Sequence, residues 1–376
     1  MIKVLGFMTG TSLDGLDMAV LETDGETQLS FGPWLETPMP STVRRLLQTT
    51  VQAALTWQRG GEEPAIFKDA RRVLVDFHLE ASTQFLQAHG LKFKNFDALG
   101  VHGQTVLHER PRGDRVGRTV QLFDGQAFAN ATGVRVVSDF RSNDVLAGGE
   151  GAPLAPIYHR ALVQNAGLEL PLVVVNLGGV ANITMISESG ITALDTGPAN
   201  GLMDQWMQQH DEGTFDPGGQ GAASGQVHSD IVDAYMSHAY FSASAPKSLD
   251  RYDFTLDYVS GLSLDDGLAT LSAFTLQSLL KGVQQTGIAP RVVVLAGGGR
   301  HNAHLVEQIA RSLAPAKVML AEALGWRGGA LEAEAFGYMA ARTLKGLPIS
   351  FPGTTGVPSP TLGGIISEPE PALDKV

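Results

Sequence analysis

Apolar residues open the chain in a nearly unbroken run, Ile2 to Met8. The run stops at Thr9-Gly10-Thr11-Ser12-Leu13-Asp14-Gly15-Leu16-Asp17 and resumes from Met18 to Leu21. This predicts two strands joined by a polar turn. Val43 to Gln58 and Phe67 to His89 switch to helical spacing, with Val73, Phe77, Ala81, Phe85 and Leu86 on one stripe of the second. Phe96 to Val101, Thr119 to Phe123 and Val134 to Ser138 predict strands. Gln126 to Ala131 predicts a helix closed by Gly133. His102-Gly103-Gln104-Thr105 reads as a polar loop at a strand end, and Gly148 to Leu154 as a glycine loop feeding a helix from Ile157 to Gln164.

The second half repeats the opening. Leu172 to Asn176 and Ile183 to Ile186 flank Gly178-Gly179, a second strand–glycine turn–strand unit about 170 residues after the first. The echo predicts a duplicated α/β lobe with a cleft between the copies. Gly190 to Asp195, Arg291 to Leu295 and Lys317 to Leu320 predict strands. Ala199 to Gln209, Val227 to Ser237, Gly267 to Thr286, Asn302 to Leu313 and Gly329 to Leu344 predict helices. Strands alternating with helices give an α/β architecture. The expected division is an N-terminal lobe over 1–145 and a C-terminal lobe over 146–346. The tail, 347–376, is expected to pack back on the body, because Ile349, Phe351, Leu362, Ile365 and Ile366 are too apolar for a free linker.

Composition narrows the class. A chain of 376 residues exceeds one ordinary core. Net charge of −12 argues against nucleic acid or an anionic membrane as partner. Absence of cysteine excludes disulfides, thiolate metal sites and cysteine catalysis. The start of the chain carries no basic segment ahead of an apolar one, and no apolar run is long enough to span a membrane, so a cytoplasmic protein is expected.

The chemistry gathers in the turns. Glycines and hydroxyls at Gly10, Thr11, Ser12 and Gly15 suit an anion cradle. Asp14 and Asp17 would repel bare phosphate, but suit Mg²⁺ held between carboxylates and phosphate oxygens. A decorated tight hairpin is the plain alternative. Gly297-Gly298-Gly299 follows a buried strand, where adenine could lie on bare backbone; a tight connection would look the same. No P-loop and no protein-kinase signature is present. Asp195 ends a predicted strand ahead of a helix that Pro198 would open, with Thr196 or Gly197 as cap. The helix dipole would keep Asp195 ionised as a general base, unless it merely caps the helix. Glu332 shares a helical stripe with Phe336, Met339 and Ala340, whereas Glu334 aligns with Tyr338, Ala341 and Arg342 on an expected solvent face. His102 and His108 lack a third ligand at metal spacing. His301 and His304 flank a helix start and need no metal. Arg141 could grip a substrate carboxylate or bridge to Asp144.

Together these segments resemble the anhydro-N-acetylmuramic acid kinases, within the sugar kinase/Hsp70/actin superfamily. The resemblance runs along nearly the whole chain. It is carried by Met8 to Asp17, His102 to Thr105, Asp139-Phe140-Arg141, Gly148 to Leu154, Asn176 to Gly179 with Asn182, Asp195 to Asp204, and Gly297 to Gly299. Asp216-Pro217-Gly218-Gly219 with Ala223-Ser224-Gly225, and Pro246-Lys247-Ser248, also fit. Thr9 stands where Ser is usual, Phe123 and Gly125 where Gly and Pro are expected, and Glu150 where Gln is expected. The Phe123–Gly125 change falls in a loop expected near the sugar.

The resemblance implies two ribonuclease-H-like lobes with mixed sheets and an active site between them. It implies ATP with Mg²⁺ as cofactors and 1,6-anhydro-N-acetylmuramate as substrate. The anhydro bridge ties O6 to C1, so O6 carries no proton to remove. Asp195 would instead deprotonate a water that attacks C1, with Glu332 assisting at the bridge. O6, once freed, takes the γ-phosphoryl group. The products are N-acetylmuramate 6-phosphate and ADP, in peptidoglycan recycling. The implied nucleotide residues are Gly10, Thr11, Ser12, Leu13, Asp14, Gly15, Leu16, Asp17, Gly178, Gly179, Gly297, Gly298 and Gly299. The implied sugar residues are His102, Gln104, Arg141, Gly151 and Asn200, and a homodimer is implied. Two rivals stand beside this. A conventional hexose kinase would use Asp195 on a free hydroxyl, and its product would gain phosphate without water. A nucleotide-driven binding module would hydrolyse ATP slowly and ignore sugars, and would leave the pair Asp195 and Glu332 unexplained.

Overall fold

The computed structural model describes residues 1–111, 113, 115–245, 247, 249 and 253–371. In chain order, the first part contains β1 (Ile2–Thr9), β2 (Gly15–Thr23), β3 (Leu29–Pro38), α1 (Ser41–Thr56) and α2 (Ile66–Ala88). Then follow β4 (Ala98–Val101), β5 (Gln104–Glu109), β6 (Arg118–Leu122), α3 (Gly125–Thr132), β7 (Val136–Ser138), α4 (Ser142–Leu146) and α5 (Pro156–Asn165). The middle part contains β8 (Leu172–Leu177), β9 (Val180–Ser187), β10 (Gly190–Pro198), α6 (Asn200–Gln209), α7 (Gln220–Ser224), α8 (Ser229–Met236) and α9 (Leu264–Gln285). It ends with β11 (Val292–Ala296), α10 (Ala303–Ser312) and β12 (Lys317–Leu320). The last part contains α11 (Leu331–Leu344), α12 (Pro352–Thr355) and β13 (Ile365–Ser367).

Two compact units result: Met1–Asn165 with Gly329–Val376, and Ala166–Gly328. The expected boundary at 145/146 therefore shifts to 165/166, and the second unit closes at 328, not 346. The reason is packing: α11 lies on β1, β2 and β4 of the first sheet, so it belongs with them despite its late position. Gly6 and Gly100 make this approach possible. A Cβ on Gly6 would overlap the Ala333 carbonyl oxygen, and one on Gly100 would overlap that of Phe336.

The first unit has a six-stranded sheet in the order β13-β7-β4-β1-β2-β3. Strands β1, β4 and β7 run parallel, and the β1-β2-β3 meander is antiparallel. The second unit has the order β10-β9-β8-β11-β12, with β8, β11 and β12 parallel and β8-β9-β10 antiparallel. Each unit is thus a three-strand meander extended by two parallel strands, with β13 added antiparallel at the edge of the first sheet, and the opening hairpin of each meander is the glycine-turn unit seen in the sequence. The first core gathers Phe7, Leu16, Leu47, Phe67, Leu99 and Phe128; the second unit has one cluster around Trp206 and Phe274 and another around Val293 and Leu305.

Several elements differ from the sequence reading. Strand β3 was not expected there, nor was α4. The polar turn after β1 is shorter, Gly10 to Asp14, because Gly15, Leu16 and Asp17 already pair in β2. Gln104 opens strand β5 and does not end a loop. Pro198 lies in β10, not at the head of a helix; α6 starts at Asn200 behind Ala199, which supplies no side-chain cap. The supposed solvent face of α11 is buried: Glu334, Tyr338, Ala341 and Arg342 are all covered. Tyr158 Oη donates to Glu334 Oε2 at 2.7 Å, and Arg342 donates to the carbonyls of Gly25 and Pro348, so hydrogen bonds replace water. Within the described part of the tail, Ile349 is buried and β13 pairs with β7. Leu362, Ile365 and Ile366 are nevertheless exposed, so the backbone ladder, not their burial, holds that stretch.

Candidate active site

In the first unit the turn Gly10–Asp14 is pinned from several sides. Gln104 Nε2 donates to the Gly10 carbonyl at 3.2 Å, and Thr9 Oγ1 to the Gly103 carbonyl at 2.9 Å. Ser12 Oγ and the Gly15 amide both donate to Asp14 Oδ1, at 2.7 and 3.0 Å. Arg44 Nε donates to the Leu13 carbonyl at 2.8 Å. Leu13 has φ of 57°, a strained conformation for a bulky residue and one that is concentrated at functional turns. The Leu13 and Leu16 side chains are in the core, so only their backbone could meet a ligand. Thr11, Ser12 and Asp14 are exposed at the turn.

Asp17 sits on β2 directly across from Glu36 on β3. Like charges at opposed cross-strand positions destabilise a sheet. Burial, then Glu36, Glu332 and Asp14, push the Asp17 carboxyl up to about 7. Glu332, in the first turn of α11, is also raised, by burial above all and by Asp14, against the pull of Arg141. Its side chain still reaches solvent, so the shielding comes from surrounding protein and not from direct coverage. Sequence reasoning missed Glu36, because its place depends on the register of β3. Among the described residues no group of three or more His, Cys, Asp or Glu is arranged to hold a metal. Asp14 and Asp17 offer hard oxygen donors to a cation that takes its other ligands from phosphate and water, which is how Mg²⁺ is commonly held.

Beside this lies Arg141, placed by the turn after β7. Asp139 there has φ of 55° and accepts from Ser142 Oγ at 2.6 Å. Arg141 Nε and Nη2 donate to His102 Nε2 at 3.2 and 3.0 Å, and Nη1 to the Gly151 carbonyl at 2.8 Å. Gly151 in turn donates its amide to the buried Asp144 Oδ1 at 2.6 Å, and Thr355 Oγ1 of the tail donates to Asp144 Oδ2 at 2.5 Å. Asp144 therefore holds the glycine loop, and acts on Arg141 only through its charge. Burial, then the charge of Arg141, holds His102 down at about 3. His108 Nδ1 meets Thr119 Oγ1 at 3.1 Å, and burial, Arg141 and Arg110 hold it at about 4. The Phe123 ring packs on His78 and Phe128, while its Cβ lies against Gly103, the neighbour of His102.

In the second unit Asp195 lies at a bulge in β10, five residues before α6, so it does not cap that helix. Its amide donates to the Lys247 carbonyl at 2.9 Å, its carbonyl accepts from Tyr240 Oη at 2.5 Å, and Oδ2 accepts from the Leu249 amide at 2.7 Å. Lys247 Nζ donates to the Tyr240 carbonyl at 2.9 Å. Burial, then Lys281, lowers this ammonium to about 8. Pro246 and Ser248, quoted beside it in the sequence, lie outside the described residues. The amides of Ala199, Asn200 and Gly201 donate to the carbonyls of Gly178 and Gly179, so that glycine turn seats the start of α6. Asn200 Nδ2 donates to the Leu177 carbonyl at 3.0 Å, and Asn200 lies against Gly299. Asn200, expected at the sugar, is thus grouped with Gly178, Gly179 and Gly297 to Gly299. Gly297 has φ of 77°, and a Cβ there would strike Asn176 and Leu177. Arg300 Nη1 caps the Gly297 carbonyl at 2.6 Å while its Nε pairs with Glu322 at 2.5 Å. Neither Arg300 nor Glu322 carries a signal in the sequence; both act through a turn whose shape is visible only in the fold.

Residues 2–368 match the family described as anhydro-N-acetylmuramic acid kinase. The chain is 54% identical over 366 residues to the enzyme of that name from Caulobacter vibrioides, covering 97% of this chain and 98% of that one. It is 53% identical over 370 residues to its counterpart from Phenylobacterium zucineum, covering 98% and 100%. Likeness to solved structures is remote: a ROK hexokinase from Thermus thermophilus aligns at 12% identity and a TM-score of 0.40, covering 90% of this chain and 99% of that one. On the strength of the full-length match, the chain belongs to the anhydro-N-acetylmuramic acid kinase family.

Proposed function

We propose that the protein phosphorylates 1,6-anhydro-N-acetylmuramate with ATP while opening the anhydro bridge by water, in peptidoglycan recycling. What supports the reaction is the near-complete alignment, at 54% identity, with a kinase of that name. The matching strand orders of the two sheets support reading the units as duplicated ribonuclease-H-like lobes.

Asp195 takes a proton from water as its oxygen attacks C1. The C1–O6 bond breaks, and O6 forms its bond to the γ-phosphorus as the bond to ADP breaks. The role of Asp195 is supported by its backbone, held at both amide and carbonyl, and by the Leu249 amide on Oδ2, which aims the carboxylate. Glu332, whose carboxyl is raised, assists at the bridge oxygen. The turn Gly10–Asp14 and the carboxylate of Asp17 serve the triphosphate end, and Gly297 to Gly299 the adenosine. Mg²⁺, when bound through Asp14 and Asp17, would neutralise charge on the phosphates.

Asp195→Asn is expected to retain nucleotide binding and lose about two to four orders of magnitude in turnover. Reaction in ¹⁸O water should place the label at C1 of a product heavier than substrate by one water plus one phosphoryl group. Unlabelled product, or near-normal turnover of the variant, would sink the mechanism.

A further inference from the structure

Arg141 has five N–H donors, and three of them point to His102 and the Gly151 carbonyl. What orients the guanidinium is therefore chiefly a histidine, an unusual partner. Buried arginines are ordinarily held by carboxylates, and two are at hand: Glu332 and Asp144 both act on Arg141 through their charge. A carboxylate in direct contact would cancel the positive charge. A neutral imidazole aims the same group and leaves the charge available to an incoming anion.

His102 is built for that part. It is 3% exposed, at the end of β4, with its ring 4.5 Å from that of Phe336 on α11. Phe336 lies one helical turn beyond Glu332 on the same face. Because Nε2 accepts from Arg141, the ring proton must sit on Nδ1, which is buried and has no hydrogen-bond partner of its own among the described residues. Gly151 has φ of 75° and presents its carbonyl to Nη1 from the other side. The Asp144–Thr355 contact fixes that loop. The guanidinium is thus held in plane by two neutral acceptors, with the rest of its donors uncommitted.

We propose that His102 is a specificity-determining positioning residue: it holds Arg141 as the receptor for the 3-O-lactyl carboxylate of the sugar. This rests on the anhydro-sugar kinase reading above. The anion is the one charged group that separates this substrate from the same anhydro sugar without the lactyl arm. Selection between the two sugars therefore depends on an arginine that is aimed and has no carboxylate in direct contact.

The test compares kcat/KM for the anhydro sugar with and without its lactyl arm, in wild type, Arg141→Ala, His102→Ala and His102→Gln. Both alanine variants should lower the preference for the lactyl sugar by about tenfold or more, mainly through KM. His102→Gln, whose amide oxygen can still accept, should restore part of it. If Arg141→Ala loses the preference and His102→Ala keeps it, the role of His102 is overturned while the anion receptor stands. If neither moves the preference, the receptor itself is wrong. Equal loss on both sugars in His102→Ala would mean a merely structural role and would also overturn the proposal. Wild-type protein that phosphorylates neither sugar would instead overturn the reaction assigned above, a separate result.

Discussion

Asp17 is a carboxylate placed opposite another carboxylate, with a third and a fourth in range. Its pKa of about 7 in the fold, against an ordinary acid value in the unfolded chain, has a definite consequence for stability. From about pH 4 to about pH 7 the folded state keeps a proton that the unfolded state has lost, so stability falls as pH rises through that window and then levels off. Asp17→Asn removes the titration. The melting temperature of the variant should therefore gain on wild type as pH rises across the window, and Mg²⁺ with nucleotide should shrink the gain by stabilising the anion. Parallel melting curves at every pH would show that the cluster stores no such repulsion. His102 is the opposite case, a ring kept neutral by burial and by Arg141 so that it can accept a hydrogen bond.

At the scale of elements, α11 carries both kinds of polar residue, and their places reverse the sequence reading. Helical spacing identifies the helix correctly, since Phe336, Met339 and Ala340 are buried. It misassigns the other face because the helix is covered on more than one side, by the sheet and by α5. A buried Glu334 bonded to Tyr158 looks in sequence like a solvated charge; only the fold supplies its partner. The glycine turns were legible because their chemistry is local, whereas Glu36, Thr355 and Arg300 act across the fold and leave no local pattern. Strand β3 escaped because Phe31, Trp34 and Leu35 stay partly exposed at a sheet edge and break the alternation. Two substitutions probe the element. Gly6→Ala should destabilise by about 1–3 kcal/mol, because its methyl group must push the helix off β1. Tyr158→Phe should cost about 1–3 kcal/mol by removing a donor from the buried Glu334 carboxylate. Denaturant titration measures both; an unchanged midpoint in Gly6→Ala would mean that the helix contact is looser than its geometry implies.

The whole molecule is an uninterrupted unit inserted into a divided one. Residues 166–328 contain all five strands of their own sheet and both of their apolar clusters, centred on Trp206 with Phe274 and on Val293 with Leu305. The first unit depends on residues far apart in the chain: α11 covers β1, β2 and β4, β13 completes the edge at β7, and Thr355 closes on Asp144. An apolar sheet face left uncovered loses the burial that stabilises it. A fragment of 166–328 is of ordinary domain size and has a complete core, so it should melt cooperatively on its own. A chain ending at residue 328 should keep the protection of β8 and β11 against hydrogen exchange but lose that of β1 and β4, which would then lack α11. The order of events follows from this dependence: the first sheet can be finished only after the second unit has been made. Protection of β1 and β4 in the shortened chain equal to that in the full one would refute this order, and a non-cooperative 166–328 fragment would refute the independence of the inserted unit.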